Sequence, residues 1–178
     1  MELAKTLVGQ GQKVAAVINE IGEIGIDQDL FQDSGTKIYE LFSGCVCCQM
    51  GDDLIRTLTA ISGIGNIDAV VIEPTGAAFP SQVIDVIHCW SEDIILETVA
   101  LVDATRFTLM LAELEYLLKD TLLAAKAIVV SKVDQCDPRA VRAVIEQLKD
   151  MCPGVPIIVR NLLDETPVAV REVLSEIG

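Results

Sequence analysis

Positive charge and aromatic side chains are both scarce in this chain. Its 178 residues hold 13 Lys and Arg against 27 Asp and Glu, for a formal charge of -14, and one histidine. A chain so poor in cations is excluded from nucleic-acid binding, because phosphate backbones need a basic face. An anionic membrane surface is disfavoured for the same reason. No apolar run reaches the length that crosses a bilayer. The opening Met1-Glu2-Leu3-Ala4-Lys5 lacks the basic and apolar regions of a signal peptide, so a cytoplasmic location is expected. With four Phe, two Tyr and one Trp in a chain that is 51% hydrophobic, the core falls to Val, Ile, Leu and Ala. The glycine-rich phosphate-binding sequence G-x-x-x-x-G-K followed by Ser or Thr occurs nowhere in these residues. Cysteine is not abundant, but it is concentrated.

Half of the six cysteines fall in Gly44-Cys45-Val46-Cys47-Cys48. Thiolates bind zinc and other soft or borderline ions, and three in one loop leave one tetrahedral position for another group. Cobalt and nickel also tolerate such ligands. Two other readings compete, a small-residue buried turn and a reversible Cys45–Cys48 disulfide. The uneven clustering fits reduced thiols in a cytosol better than a disulfide framework. Cys89, Cys136 and Cys152 are scattered and read as small core or surface residues. The only histidine, His88, sits beside Cys89 at the end of a short predicted helix, as a satisfied helix-end residue rather than a ligand.

Short β-branched runs alternate with helical periodicity, the pattern of a parallel sheet covered on both faces. Strands are predicted at Val14–Ile18, Ile38–Phe42, Ala69–Ile72, Thr98–Val102, Ala127–Val130 and Val155–Val159. Met1 to Val8 reads as the inside of a helix, with Leu3, Leu7 and Val8 on one face. Phe107, Met110, Leu111, Leu114, Leu117, Leu118 and Leu122 follow the i, i+3, i+4, i+7 spacing of one long helix. Asp137-Pro138 and Thr166-Pro167 each read as an N-cap followed by proline at the first helical position. The expected fold is a single α/β domain spanning 1–178, a three-layer sandwich with a mostly parallel sheet.

Ligands of open α/β sheets bind beyond the carboxyl ends of the strands. Read in order, those ends carry Asn19-Glu20, Ser43-Gly44-Cys45, Glu73-Pro74-Thr75-Gly76, Asp103, Ser131-Lys132-Val133-Asp134 and Arg160-Asn161. Glu73 can hold a magnesium shell or orient a water, and Gly76 lets backbone approach a phosphate; a solvated strand end with a turn is the plainer reading. Asp134 can accept two hydrogens from a guanine while the Lys132 stem packs over the base, as in an N-K-x-D loop with Ser131 in place of asparagine. An ordinary charged turn competes with that reading. Asn19–Asp27 holds two glycines and several carboxylates in nine residues, a loop able to reach a cation or a solvated acidic turn.

Taken together, Asn19-Glu-Ile-Gly-Glu-Ile-Gly-Ile-Asp27, Gly44-Cys-Val-Cys-Cys48 and Glu73-Pro-Thr-Gly76, with weaker support from Ser131-Lys-Val-Asp134, resemble the CobW-like family of P-loop GTPases. These are metallochaperone relatives of the hydrogenase and urease nickel-insertion GTPases, and the resemblance covers nearly the whole chain. It implies a P-loop-NTPase-like fold, GTP with Mg2+ as cofactors of the phosphate-loop-complete protein, and a transition metal, most commonly zinc, on Cys45, Cys47 and Cys48, with Glu23 as a neighbouring ligand. It also implies nucleotide contacts from Thr75, Gly76, Lys132 and Asp134, a magnesium-associated role for Glu73, and delivery of the ion to a client metalloprotein or corrinoid-pathway protein. The family's first strand and phosphate loop are expected immediately ahead of Met1, and its C-terminal domain is expected to be absent, so GTP hydrolysis is not expected of the chain as it stands. A sheet open along its middle can pair with a second copy, giving a homodimer. Outside the resemblance stand a nucleotide-independent thiolate metal buffer and a thiol redox protein.

Overall fold

The computed structural model describes residues 2–18, 37–40 and 49–160. Two compact units are present, Met1–Ala78 with Gln82–Ile94, and Phe79–Ser81 with Ile95–Gly178. The first holds α1 (Glu2–Gly9), β1 (Val14–Ile18), β2 (Lys37–Glu40), α2 (Gln49–Ile64), β3 (Ala69–Glu73) and most of α3 (Pro80–Trp90). The second holds β4 (Val99–Asp103), α4 (Phe107–Glu113), α5 (Glu115–Leu123), β5 (Ala127–Ser131), α6 (Pro138–Met151) and β6 (Ile157–Val159). No helix among the described residues is long and apolar enough to cross a membrane.

Every strand pairing is parallel, as the near-continuous apolar runs require. The strands form two three-stranded sheets, ordered β2-β1-β3 and β4-β5-β6, where one sheet was expected. Among the described residues β3 pairs only with β1, and β4 only with β5, so each has one edge without a partner strand. The central strands show what their sequences demand. All five residues of β1 and all five of β5 are buried, whereas β3 and β4 are only partly covered. Val and Ile on both faces of β1 and β5 leave no polar side for water, which confines those strands to the middle of a sheet.

In the first unit, α1 packs Ala4 inward, fully buried, with Leu3, Leu7 and Val8 half-buried. The turn that follows it holds Gly11, whose φ of 86° suits a residue without a Cβ, and the Gly11 N–H donates to the Val8 carbonyl at 2.8 Å. Leu54, Leu58 and Ile61 form the buried i, i+4, i+7 stripe of α2. Lys13 and Asp68 pin the amino ends of β1 and β3: the Lys13 N–H donates to Asp68 Oδ2 at 2.8 Å, and the Asp68 N–H donates to the Lys13 carbonyl at 2.8 Å.

In the second unit, Ala100 and Val102 of β4 and Ile128 and Val130 of β5 pack with Phe107, Leu118, Leu122, Val144 and Leu148 of the helices. Burying a Leu, Ile or Phe side chain contributes roughly 1.5–3 kcal/mol, so this cluster dominates the unit. Asp137 caps α6 as expected, its Oδ1 accepting from the Arg139 N–H at 2.8 Å with Pro138 in the first turn. The long helix expected across 107–122 is instead two. Leu114 takes φ -132°, ψ 36°, outside the helical region, and is 48% exposed. The apolar spacing runs on across this break, so periodicity alone reads it as continuous. Strand β6 starts at Ile157 rather than Val155: Pro156 has no N–H for the ladder, and its carbonyl accepts from Ile128 at 2.9 Å. Leu41 and Phe42, expected to end β2, and the helix expected from Thr166-Pro167 lie outside the described residues.

Candidate functional site

In the first unit, parallel pairing sets Ile18 level with both Glu40 and Glu73. The carboxyl ends of β1, β2 and β3 therefore share one edge. The chain leaves β1 toward the segment that contains Glu23 and leaves β2 toward the segment that contains Cys45, Cys47 and Cys48, and α2 begins at Gln49, the residue after Cys48. Glu23 and the three cysteines lie outside the described residues. Among those that are described, no group of three or more His, Cys, Asp or Glu side chains is arranged to hold a metal ion. His88 lies in the last turn of α3 and Cys89 beside it is exposed.

Glu73 closes β3 with an exposed carboxylate that has no hydrogen-bond or ion-pair partner among the described residues. An unpaired carboxylate at a strand end is available to a cation or a water. Thr75 follows, half-buried, its carbonyl accepting from the Ala78 N–H at 2.9 Å to close a turn. Gly76 sits in that turn outside the left-handed region, and a Cβ built on it would meet nothing within 4 Å. Among the described residues nothing crowds position 76, and a residue without a side chain there leaves the backbone open to an approaching group.

In the second unit the geometry is tighter. Asp103 ends β4 in register with Ser131, which ends β5. The buried Ser131 hydroxyl donates to the Val102 carbonyl at 3.2 Å, and the Ala104 N–H donates to the Ser131 carbonyl at 3.0 Å, so the two strand ends are laced together. Lys132 then adopts φ 54°, ψ 32°, a left-handed conformation unusual for a side chain with a Cβ. Its Nζ reaches Asp103 Oδ2 at 2.7 Å. The other Asp103 oxygen, Oδ1, accepts from the Thr105 N–H at 2.9 Å and from its hydroxyl at 2.6 Å. Burial works to raise the Asp103 pKa, but hydrogen bonds from Lys132 and Thr105, with the lysine's charge, outweigh it and hold the carboxyl below the usual aspartate range.

A single turn of 3-10 helix, Val133–Gln135, follows Lys132 and carries Asp134. The Gln135 N–H donates to the Lys132 carbonyl at 3.1 Å and the Cys136 N–H to the Val133 carbonyl at 3.3 Å. Asp134 is exposed and without a hydrogen bond or ion pair among the described residues. A carboxylate so placed can accept two parallel N–H donors, such as those of a guanine edge.

Of the residues singled out in the sequence, Glu73, Thr75 and Gly76 lie together at and just beyond the end of β3, and Lys132 and Asp134 together after β5. In the sequence Asp103 reads only as a polar strand end, and Thr105 carries no site signal of its own. The signal for both was present in Asp103-Ala104-Thr105, where an aspartate two residues before a threonine forms a local turn at the end of an apolar strand.

A family model described as CobW/HypB/UreG, nucleotide-binding domain, matches residues 3–159. Zinc chaperone YeiR of Escherichia coli (strain K12) is 31% identical over 137 residues, covering 74% of this chain and 41% of its own. Zinc chaperone CobW of Sinorhizobium sp is 29% identical over 192 residues, 90% of this chain and 54% of its own. The chain thus spans about half the length of these curated relatives. Among solved structures, HypB from Helicobacter pylori, crystallised in complex with nickel, superposes with a TM-score of 0.57 at 15% identity, covering 97% of this chain and 77% of HypB. At that identity the likeness is one of fold.

Proposed function

The chain belongs to the CobW/HypB/UreG nucleotide-binding family, and from that premise we propose that residues 1–178 form the guanine-nucleotide-binding domain of a cytosolic metal chaperone. Zinc is the cargo that the names of its relatives favour. In this reading Cys45, Cys47 and Cys48 take the ion as thiolates, with Glu23 as an oxygen ligand, and pass it to a client metalloprotein. Lys132 and Asp134 take the base. Thr75 and Gly76 face the phosphates. Magnesium bound with GTP would supply charge neutralisation there; Glu73, exposed and without a partner among the described residues, is the carboxylate suited to its water shell.

The observation that carries the reading is the common edge of β1, β2 and β3. The segments with Glu23 and with the cysteines leave that edge, and Glu73 stands on it. A change at Glu73 on nucleotide binding is therefore close along the fold to the start of the cysteine segment, the arrangement by which a nucleotide biases metal affinity.

An anaerobic zinc titration against a chromophoric chelator tests this directly. The chain is expected to hold about one ion tightly, as a three-thiolate site does, and the combined Cys45→Ser, Cys47→Ser, Cys48→Ser variant none. In a version that carries a glycine-rich phosphate loop, adding GTP and magnesium is expected to shift the zinc affinity, and Glu73→Ala to abolish that shift. Tight zinc binding indifferent to GTP would instead favour a nucleotide-independent thiolate buffer. A reversible Cys45–Cys48 disulfide without stoichiometric metal would favour redox chemistry.

A further inference from the structure

We propose that Asp103 is a positioning residue for base recognition: through its contact with Lys132 it fixes both the lysine stem and the turn that carries Asp134. The inference rests on reading Ser131–Asp134 as the guanine-recognising loop and names a residue on another strand that makes the loop competent. A lysine side chain is a flexible four-carbon stem ending in a point charge, and unrestrained it gives a base no defined surface. Here Nζ is held at 2.7 Å from Asp103 Oδ2. Asp103 and Ser131 are register partners on neighbouring strands, about 4.8 Å apart, so the contact ties the two strand ends together.

The same contact bears on the backbone. Left-handed φ at Lys132 is what turns the extended chain of β5 into the Val133–Gln135 turn, and an L-residue with a Cβ does not favour it. Tying the side chain to Asp103 favours the conformation that brings Asp134 round. Asp103 is in turn fixed by Thr105, which takes Oδ1 with two donors and leaves Oδ2 for the lysine. Ser131 offers no long amide of its own; its hydroxyl is committed to the Val102 carbonyl. The bracing of this loop therefore comes from β4, in the order Thr105, Asp103, Lys132.

The test uses the full chain and two readouts. Hydrogen exchange at the Gln135 and Cys136 amides in the ligand-free chain reports the turn. Affinities for fluorescent guanosine, inosine and xanthosine diphosphates report base reading, since inosine lacks the amino group that guanine presents to Asp134. Asp103→Ala is expected to speed exchange at both amides and to weaken guanosine binding roughly fivefold, the scale of a partly exposed ion pair, with a smaller loss for inosine. Thr105→Val should act in the same direction, and Thr105→Ser should restore the parent values. Asp134→Asn should leave the exchange unchanged and move preference from guanine to xanthine, whose C2 carbonyl accepts where guanine donates. A guanine preference that Asp103→Ala leaves intact, with unchanged exchange, overturns the positioning role alone. A parent chain with no guanine preference, or one indifferent to Asp134→Asn, overturns the base-reading assignment and this proposal with it.

Discussion

Asp103 links the stability of the second unit to pH, and the sign follows from its environment. Its folded pKa lies below the usual range because Lys132 and Thr105 together outweigh burial, whereas the unfolded aspartate titrates near ~3.9. A depressed carboxylate contributes stability that is complete above the unfolded pKa and is lost as the pH falls through the folded one. Thermal melts of the parent and Asp103→Asn should therefore differ at pH 7 and converge as the pH drops below about 4. Lys132 is 48% exposed, so solvent and salt screen the pair, and the gap at pH 7 should narrow in roughly 1 M salt. A gap that stays constant down the pH scale would mean that Asp103 acts through packing rather than charge. Glu73 and Asp134 present the opposite case, carboxylates without partners among the described residues, and groups without native partners are available to ligands at little cost to the fold.

At the scale of elements, α6 is the helix whose sequence and structure agree most closely. Asp137 accepts from the Arg139 N–H at 2.8 Å, Pro138 opens the helix, and Val144 and Leu148 bury its apolar face. Asp137→Ala should cost about 1 kcal/mol, lowering Tm by roughly 2–4 °C while Pro138 keeps the helix start in place. The cap was legible because Asp-Pro is a local signal, and β1 and β5 were legible because short runs of Val, Ile and Ala suit a strand buried on both faces. The break at Leu114 was not legible: a leucine fits the heptad-like spacing whether it faces the core or, as here, solvent. The division into two sheets could be read only through the expectation of a sheet open along its middle, since strand pairing depends on which edges meet and not on any strand's own pattern. For the candidate site, single residues at strand ends were readable, but the brace of Asp103 and Thr105 on Lys132 depends on the β4–β5 register, which no local motif states.

At the scale of the whole molecule, metal and stability are coupled by mass action, and the sequence position of the cysteines says where. In sequence, Cys45, Cys47, Cys48 and Glu23 all fall between β1 and α2 of the first unit. A ligand that binds only the folded state stabilises it by about 2.7 kcal/mol at a hundred times its dissociation constant. Zinc at that excess should raise Tm by several degrees, and the triple Cys→Ser variant should not respond. The gain should also be local. Hydrogen exchange should slow in β2 and α2, the elements that flank the cysteine segment, and stay unchanged at the capped amides of α6 in the second unit. Coupling between two ligands is reciprocal, so if GTP tightens zinc by some factor, zinc must tighten GTP by the same factor, and the two titrations check one another. Uniform slowing across both units would point to a nonspecific effect of the ion on a chain with a charge of -14; protection confined to the first unit would tie the stabilisation to the segment that holds Cys45, Cys47 and Cys48.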